Sequence, residues 1–562
     1  MSVSHPAVKA VPAALLSLSA LLALSIFLLT GCGGGGGGGS TTPATPTITS
    51  VTVACSPASI LTTQTSTCTA TVQGTGSYSS AVTWAASNGT ITSSGVFTPT
   101  VAGTVIVTAT STEDSTKSGT ASIVVGNQTT NGEWTWMGGS DTASASGIYG
   151  SLGVAAASNV PGARFSAVSW KDSSGNLWLF GGIGVDSTGA QGPLNDLWKF
   201  NPTNNQWTWM SGSSIIGASE SGQSGVYGTQ GVAAASNVPG ARFNAVGWTD
   251  SSGNLWLFGG CDDDSTGHGV PFNDLWEFNS TTKEWTWVGG SSTPSAVGVW
   301  VGTPSTSNIP SSRYSAVSWA DDNGNFWLFG GVDNYSAPVN DLWEYTPTTK
   351  EWTRVSGSSA GNTPGSYGTL GVASTSNVPG SRWNAVSWID TSGNLWLFGG
   401  WGVDSADNFG DLNDLWEFSP SATTWTWVKG SSTAGASGEF GTLGVAAAAN
   451  VPCARNSSVS WTDTNGNLWL FGGQGNGAVG TTGDLSDLWE FSTTTKEWTW
   501  ASGSDTIGAS GVYGTLGVAS ASNIPGGRYG SVSWTDDNGN LWLFGGASNS
   551  GAYVNDLWRY QP

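Results

Sequence analysis

Six arginines recur at matching places in this chain, Arg164, Arg242, Arg313, Arg382, Arg455 and Arg528, and each is followed by an aspartate, Asp196, Asp274, Asp341, Asp414, Asp487 and Asp556. A guanidinium grips a carboxylate or sulfate through two parallel hydrogen bonds, so a ring of free arginines would be an anion site. Equal numbers of the two partners favour internal pairing, because buried charges are normally paired. A Gly-Gly step such as Gly181-Gly182 falls between them and puts no side chain in the way.

Other chemistries are poorly supplied. The chain has two histidines, His5 and His268, so no imidazole-rich metal centre can be assembled, and Cys261 with His268 is too small a set for zinc. Acidic loops at Asp262-Asp263-Asp264 and at Asp404, Asp407 and Asp411 could offer oxygen ligands to calcium. Neither has the spacing of a known calcium loop, so solvated loop charge is the expectation and no cofactor is implied. The repeated turns of the Asp172-Ser-Ser-Gly-Asn176 type read as hairpin turns, in which Asp and Asn bond their own backbone.

The elements that carry these residues repeat with them. One copy runs Arg164-Phe-Ser-Ala-Val-Ser-Trp170, Gly175-Asn-Leu-Trp-Leu-Phe-Gly-Gly182, Asn195-Asp-Leu-Trp-Lys-Phe200 and Gln206-Trp-Thr-Trp-Met210. Each segment is short, aromatic and β-branched, and bounded by Gly, Asn, Asp or Pro, which predicts four strands per unit. Leu177 to Phe180 is apolar on both faces, so the sheet must be covered on both sides. The Trp-Thr-Trp segment first occurs at Trp134, ahead of the first arginine, and has no copy after the last Asp-Leu-Trp. A closed ring explains that offset, with residues 133–137 completing the last sheet.

The order Arg-x-Ser-Ala-Val, Phe-Gly-Gly, Asn-Asp-Leu-Trp and closing Trp resembles the Kelch repeat, also found in the central domain of galactose oxidase. The resemblance covers residues 131–562 and implies an all-β fold, a six-bladed Kelch-type β-propeller. Members of that family serve as protein-binding, glycan-binding and sometimes catalytic scaffolds, and the copper ligands of a galactose oxidase are lacking here.

Ahead of the repeats, an apolar run from Val11 to Leu29 ends in Leu29-Thr-Gly-Cys32, which resembles a bacterial lipoprotein signal peptide, residues 1–31, with Cys32 as the lipidated residue. Gly33 at the next position implies the outer membrane or cell surface. Residues 32–46, rich in Gly, Ser, Thr and Pro, read as a flexible tether. Residues 47–126 alternate with period two and predict a small N-terminal β-sandwich. Val82-Thr-Trp84, Gly95-Val-Phe97 and Ala102-Gly-Thr104 resemble the bacterial immunoglobulin-like group 2 domain, common in surface adhesins. In an oxidising compartment Cys55 and Cys68 are expected to pair, whereas Cys261 and Cys453 belong to distant repeats and are expected to stay free.

A net charge of −21 argues against nucleic acid and against charge-driven membrane binding. The membrane is reached through the lipid anchor alone, and a monomer is expected. Loop lengths predict one side of bare hairpins and an opposite side crowned by the long linkers, where binding residues concentrate. An aromatic recurs in those linkers at Tyr149, Tyr227, Trp300, Tyr367, Phe440 and Tyr513, and its regularity suggests a loop anchor more than a sugar platform. Asp262, His268, Tyr335, Trp401, Phe409 and Tyr553 vary between repeats and are the ligand-binding candidates. The expected function is non-catalytic binding of an extracellular glycan or protein. A glycosidase or lyase and a structural envelope component are the alternatives.

Overall fold

The computed structural model describes residues 45–562, apart from 62–64, 102, 127–131, 218–221, 264–268, 478–480 and 549. The signal-peptide segment, Cys32 and His268 therefore lie outside the described residues. The described elements are all strands, and no helix among them is long and apolar enough to cross a membrane. The chain divides into two compact units, Met1–Gln128 and Thr129–Pro562.

The smaller unit has two four-stranded sheets. One is led by Thr47–Ser56 paired antiparallel with Ser66–Thr75, the other by Gly103–Ser111 paired with Ser118–Gly126. Phe97 from the first sheet and Ile60, Val105, Val107 and Ile123 from the second share one core. Cys55 and Cys68 face each other in register, with Cα atoms 4.0 Å apart, and are joined by a disulfide.

The larger unit repeats one antiparallel sheet. In the first repeat Val168–Lys171, Leu177–Phe180, Leu197–Asn201 and Gln206–Ser211 pair in that order. Every residue of Leu177–Phe180 is buried, as a two-sided apolar strand requires. Among the described residues there are five such four-stranded sheets and one of five strands. In the latter, Glu133–Gly138 pairs with Tyr553–Gln561, setting Trp134 opposite Tyr560 and Trp136 opposite Trp558. The first strand of the unit thus completes its last sheet.

Two cyclic sets of hydrogen bonds, and a third interrupted at one repeat, tie the sheets into a propeller-like ring. The first is made by backbone alone: the amides of Ser166, Asn244, Ser315, Asn384, Ser457 and Gly530 each donate to the carbonyl of the equivalent residue in the preceding repeat, and Ser166 reaches back to Gly530 at 2.7 Å. All six residues have positive φ, between 52° and 63°. The second uses the tryptophan of each first strand. Trp170, Trp248, Trp319, Trp388, Trp461 and Trp534 donate their indole N–H to the carbonyl of Trp256, Trp327, Trp396, Trp469, Trp542 and Trp178 in the next sheet. A phenyl ring in that position would pack but could not donate. The third set, Ser169, Ser318, Ser387, Ser460 and Ser533, donates hydroxyls to the preceding repeat and is broken at Gly247, which has no hydroxyl.

Two expectations need correction. The arginines do not open the first strand of each sheet. Arg164–Phe165 pairs with Ile183–Val185 in a separate small sheet, because the positive φ at Ser166 breaks the strand to form the backbone ring. Nor do the long linkers form only a crown on one side. Part of each runs along the outermost strand of its own sheet, with Gly153 donating to Trp209 at 2.7 Å, and Gly231, Gly371, Gly444 and Gly517 doing likewise. Closing the ring leaves each sheet with an outer edge of unpaired amides and carbonyls, and the linker covers it. Asn159 clamps this cover by donating to Val154 and Trp207 carbonyls at 3.0 and 3.1 Å.

Candidate functional site

Each arginine is fully engaged. Arg164 holds Asp196 bidentately at 2.7 and 2.8 Å, and it also donates to the carbonyl of Gly181, first of the Gly-Gly pair, at 3.1 Å. The same arrangement joins Arg242 to Asp274, Arg313 to Asp341, Arg382 to Asp414, Arg455 to Asp487 and Arg528 to Asp556. Burial, the largest single influence, would lower the Arg164 pKa, but the charge and hydrogen bonds of Asp196 together with Tyr149 outweigh it and the pKa rises. Trp198, two residues after Asp196 and so on the same face of its strand, adds an indole bond to the carboxylate at 2.7 Å. That spacing accounts for the recurring Asp-Leu-Trp.

The linker aromatics belong to this network. Tyr149, Tyr227, Tyr367 and Tyr513 donate their hydroxyls to Asp196, Asp274, Asp414 and Asp556 at 2.6 to 2.8 Å. Burial first, and the nearby carboxylate second, raise the pKa of Tyr149. Two repeats carry no hydroxyl at this position, having Trp300 and Phe440. In those two the residue two before the arginine has a side chain where the others have glycine: Ser311 and Cys453 each accept from the arginine Nη2, at 3.3 and 3.1 Å. Cys453 is thereby a buried structural thiol, its pKa pushed up to about 11 by burial.

The variable candidates do not gather in one place. Trp401 lies 6.2 Å from Trp383, ring to ring, and Tyr553 lies 5.0 Å from Phe165, both beside the backbone ring. Phe409 is exposed on another strand of the Trp401 hairpin, paired with Val403. Tyr335 is exposed in the third repeat and Asp262 is half-buried in the second. Among the described residues no three His, Cys, Asp or Glu side chains are placed to hold a metal ion.

A set that the candidates only touch lies at the linker end of the ring. The residue after each arginine is Phe165, Phe243, Tyr314, Trp383, Asn456 or Tyr529, next to the residues of the cyclic backbone bonds, and all six are half-buried. Phe165 and Tyr529 meet edge to face at 5.8 Å across adjacent repeats. Asn456 donates to Asp411 at 2.7 Å, and burial of that carboxylate raises its pKa to about 6 against the opposing effects of Asn456 and Arg455. A separate cleft of about 480 Å³ is bordered by Asp484, Ser510, Tyr513, Arg528 and Val554.

Known proteins supply no closer identity. No family model matches this chain and no curated protein matches it. A solved structure entitled "Structure of YjhT" is similar over 71% of this chain and 95% of its own, at 15% identity and a TM-score of 0.42.

The aromatic position was present in the sequence as the residue after each arginine, aromatic in five repeats of six.

Proposed function

We propose that this chain is a surface-anchored lipoprotein whose six-bladed, Kelch-type propeller binds an extracellular glycan without catalysis. The half-buried aromatics Phe165, Phe243, Tyr314, Trp383 and Tyr529 around one end of the ring carry this reading. Flat rings give apolar contact to pyranose faces at little entropic cost, and Asn456 and Asp411 add polar groups beside them. The six repeats and their cyclic bonds support the propeller, and the repeated motif supports its Kelch type. The two sheets of the smaller unit support an immunoglobulin-like spacer, and the apolar run ending at Cys32 supports an anchor in the outer membrane or cell surface. A glycan-array screen with the full chain tests the binding: a recurrent glycan class should bind, and Trp383→Ala with Tyr314→Ala should abolish it. Retention of glycans by that variant, or capture of envelope protein alone, would sink the reading.

A second reading, a carbohydrate-active enzyme, is favoured by one observation. Burial pushes the Asp411 pKa up to about 6, the direction a general acid requires. Cleavage of a bound glycan by the native chain and not by Asp411→Asn would select it.

A further inference from the structure

The third repeat departs from the other five at two positions that face each other. Where the other linkers have Tyr149, Tyr227, Tyr367, Phe440 and Tyr513 it has Trp300, and where the other outer strands have Trp209, Trp287, Trp427, Trp500 and Trp136 it has Arg354. In the five, the two rings meet edge to face at 5.1 to 5.3 Å. In the third, Trp300 instead stands edge-on to Trp343 at 5.7 Å, and the Arg354 guanidinium lies 5.7 Å from its ring centre. There a cavity of about 160 Å³ is lined by Trp300, Asn334, Tyr335, Trp343, Arg354 and Ser359.

Its groups have bonding capacity left over. Arg354 donates to Ser359 Oγ at 3.1 Å and forms no ion pair among the described residues, in a chain whose net charge is −21. Asn334 Oδ1 is buried and has no hydrogen-bond partner. Tyr335 is 70% exposed at the rim. Two carboxylates border the cavity without neutralising Arg354. Asp341 is held bidentately by Arg313, and Asp333 accepts the amides of Tyr335 and Ala337 at 2.9 and 3.1 Å.

We propose that this cavity binds a carboxylate-bearing sugar unit. The guanidinium fork matches the carboxylate, Trp300 and Tyr335 offer ring faces, and Asn334 Oδ1 accepts a sugar hydroxyl. The site is built on the linker, the third and fourth strands of its sheet and the turn after Val332–Asp333, contains none of the aromatics beside the backbone ring in its lining, and does not depend on their role.

Titration of the full chain with glucuronic acid, with glucose and acetate as the neutral sugar and the plain anion, tests it. Glucuronic acid should bind at millimolar concentration, and the other two about tenfold more weakly or worse. Arg354→Lys, which keeps the charge and loses the fork, should weaken glucuronic acid about tenfold with an unchanged melting temperature. Trp300→Tyr combined with Arg354→Trp rebuilds the pair of the other repeats, and should fold normally and lose the site. Unchanged affinity in either variant, equal affinity for glucose or acetate, or no binding of glucuronic acid to the native chain would overturn the proposal.

Discussion

At Asp196 one carboxylate collects Arg164, Trp198 and Tyr149, and all three are buried. Arg164→Met should therefore cost about 3 to 5 kcal/mol, because it strands a charge, whereas Arg164→Met with Asp196→Leu should recover most of the loss. Denaturant midpoints of the three proteins decide this; equal losses in single and double variants would mean that the pair contributes by shape alone. Tyr149→Phe, which leaves Asp196 its other donors, should cost only about 1 kcal/mol. Asp411 predicts a different pH signature. Its folded pKa of about 6 stands above the ordinary 3.8, so its burial is harmless below that ordinary value and grows unfavourable as pH rises through 6. Asp411→Asn should gain about 2 kcal/mol at about pH 8 and nothing at about pH 3.5. A pH-independent difference between variant and native chain would refute the assignment.

At the scale of the strand, Glu133–Gly138 joins parts of the chain that are farthest apart in sequence. Its Trp134 meets Trp461 and Phe471 of the neighbouring sheet at 6.5 and 5.5 Å. Deleting residues 131–138 should bare the edge of Tyr553–Gln561 and the aromatic face beneath it, lowering the melting temperature by about 4 degrees or more and promoting aggregation, as about 4 kcal/mol or more of lost burial implies for a unit of this size. Unchanged melting would show that the ring holds without this strand. The outer-edge linkers explain why six sheets, each ending in a fourth strand, need not associate through those strands. Their own Leu152 and Val154 remain 58% and 54% exposed, and nothing in the structure accounts for these apolar side chains.

For the whole molecule, the prediction concerns which side of the ring meets the ligand. Trp401→Ala with Trp383→Ala should weaken glycan binding more than tenfold and leave the melting temperature unchanged within a few degrees, because both rings are part-exposed. Ser173→Ala or Asn204→Ala, on the hairpin side, should change neither. Binding lost only from the hairpin side would reverse the assignment. Independently, metabolic labelling with a fatty acid should mark the native chain and leave Cys32→Ser unlabelled; equal labelling would remove the anchor.

The four strands of each main sheet, the repeat, the displaced Trp134 and the partnership of arginines with aspartates were legible in sequence, because each follows from periodicity, from matched numbers or from the spacing of Asp and Trp on one strand face, whereas the small separate sheets that carry the arginines were not. The disulfide between Cys55 and Cys68 was legible from the oxidising compartment that the leader implies. Contacts between repeats were not. The indole of Trp170 reaching Trp256, the positive φ of Ser166 that closes the backbone ring, and the linker folded over the Gln206–Ser211 edge all depend on where the next sheet lies. No residue type announces such a distance. The same limit governed the site: in sequence Trp300 reads only as one of six loop anchors and Arg354 as one strand residue, and only their meeting beside Trp343 makes a cavity. A chain specifies its strands through neighbours two residues apart, but it specifies a binding surface through side chains brought together from different strands, which only packing decides.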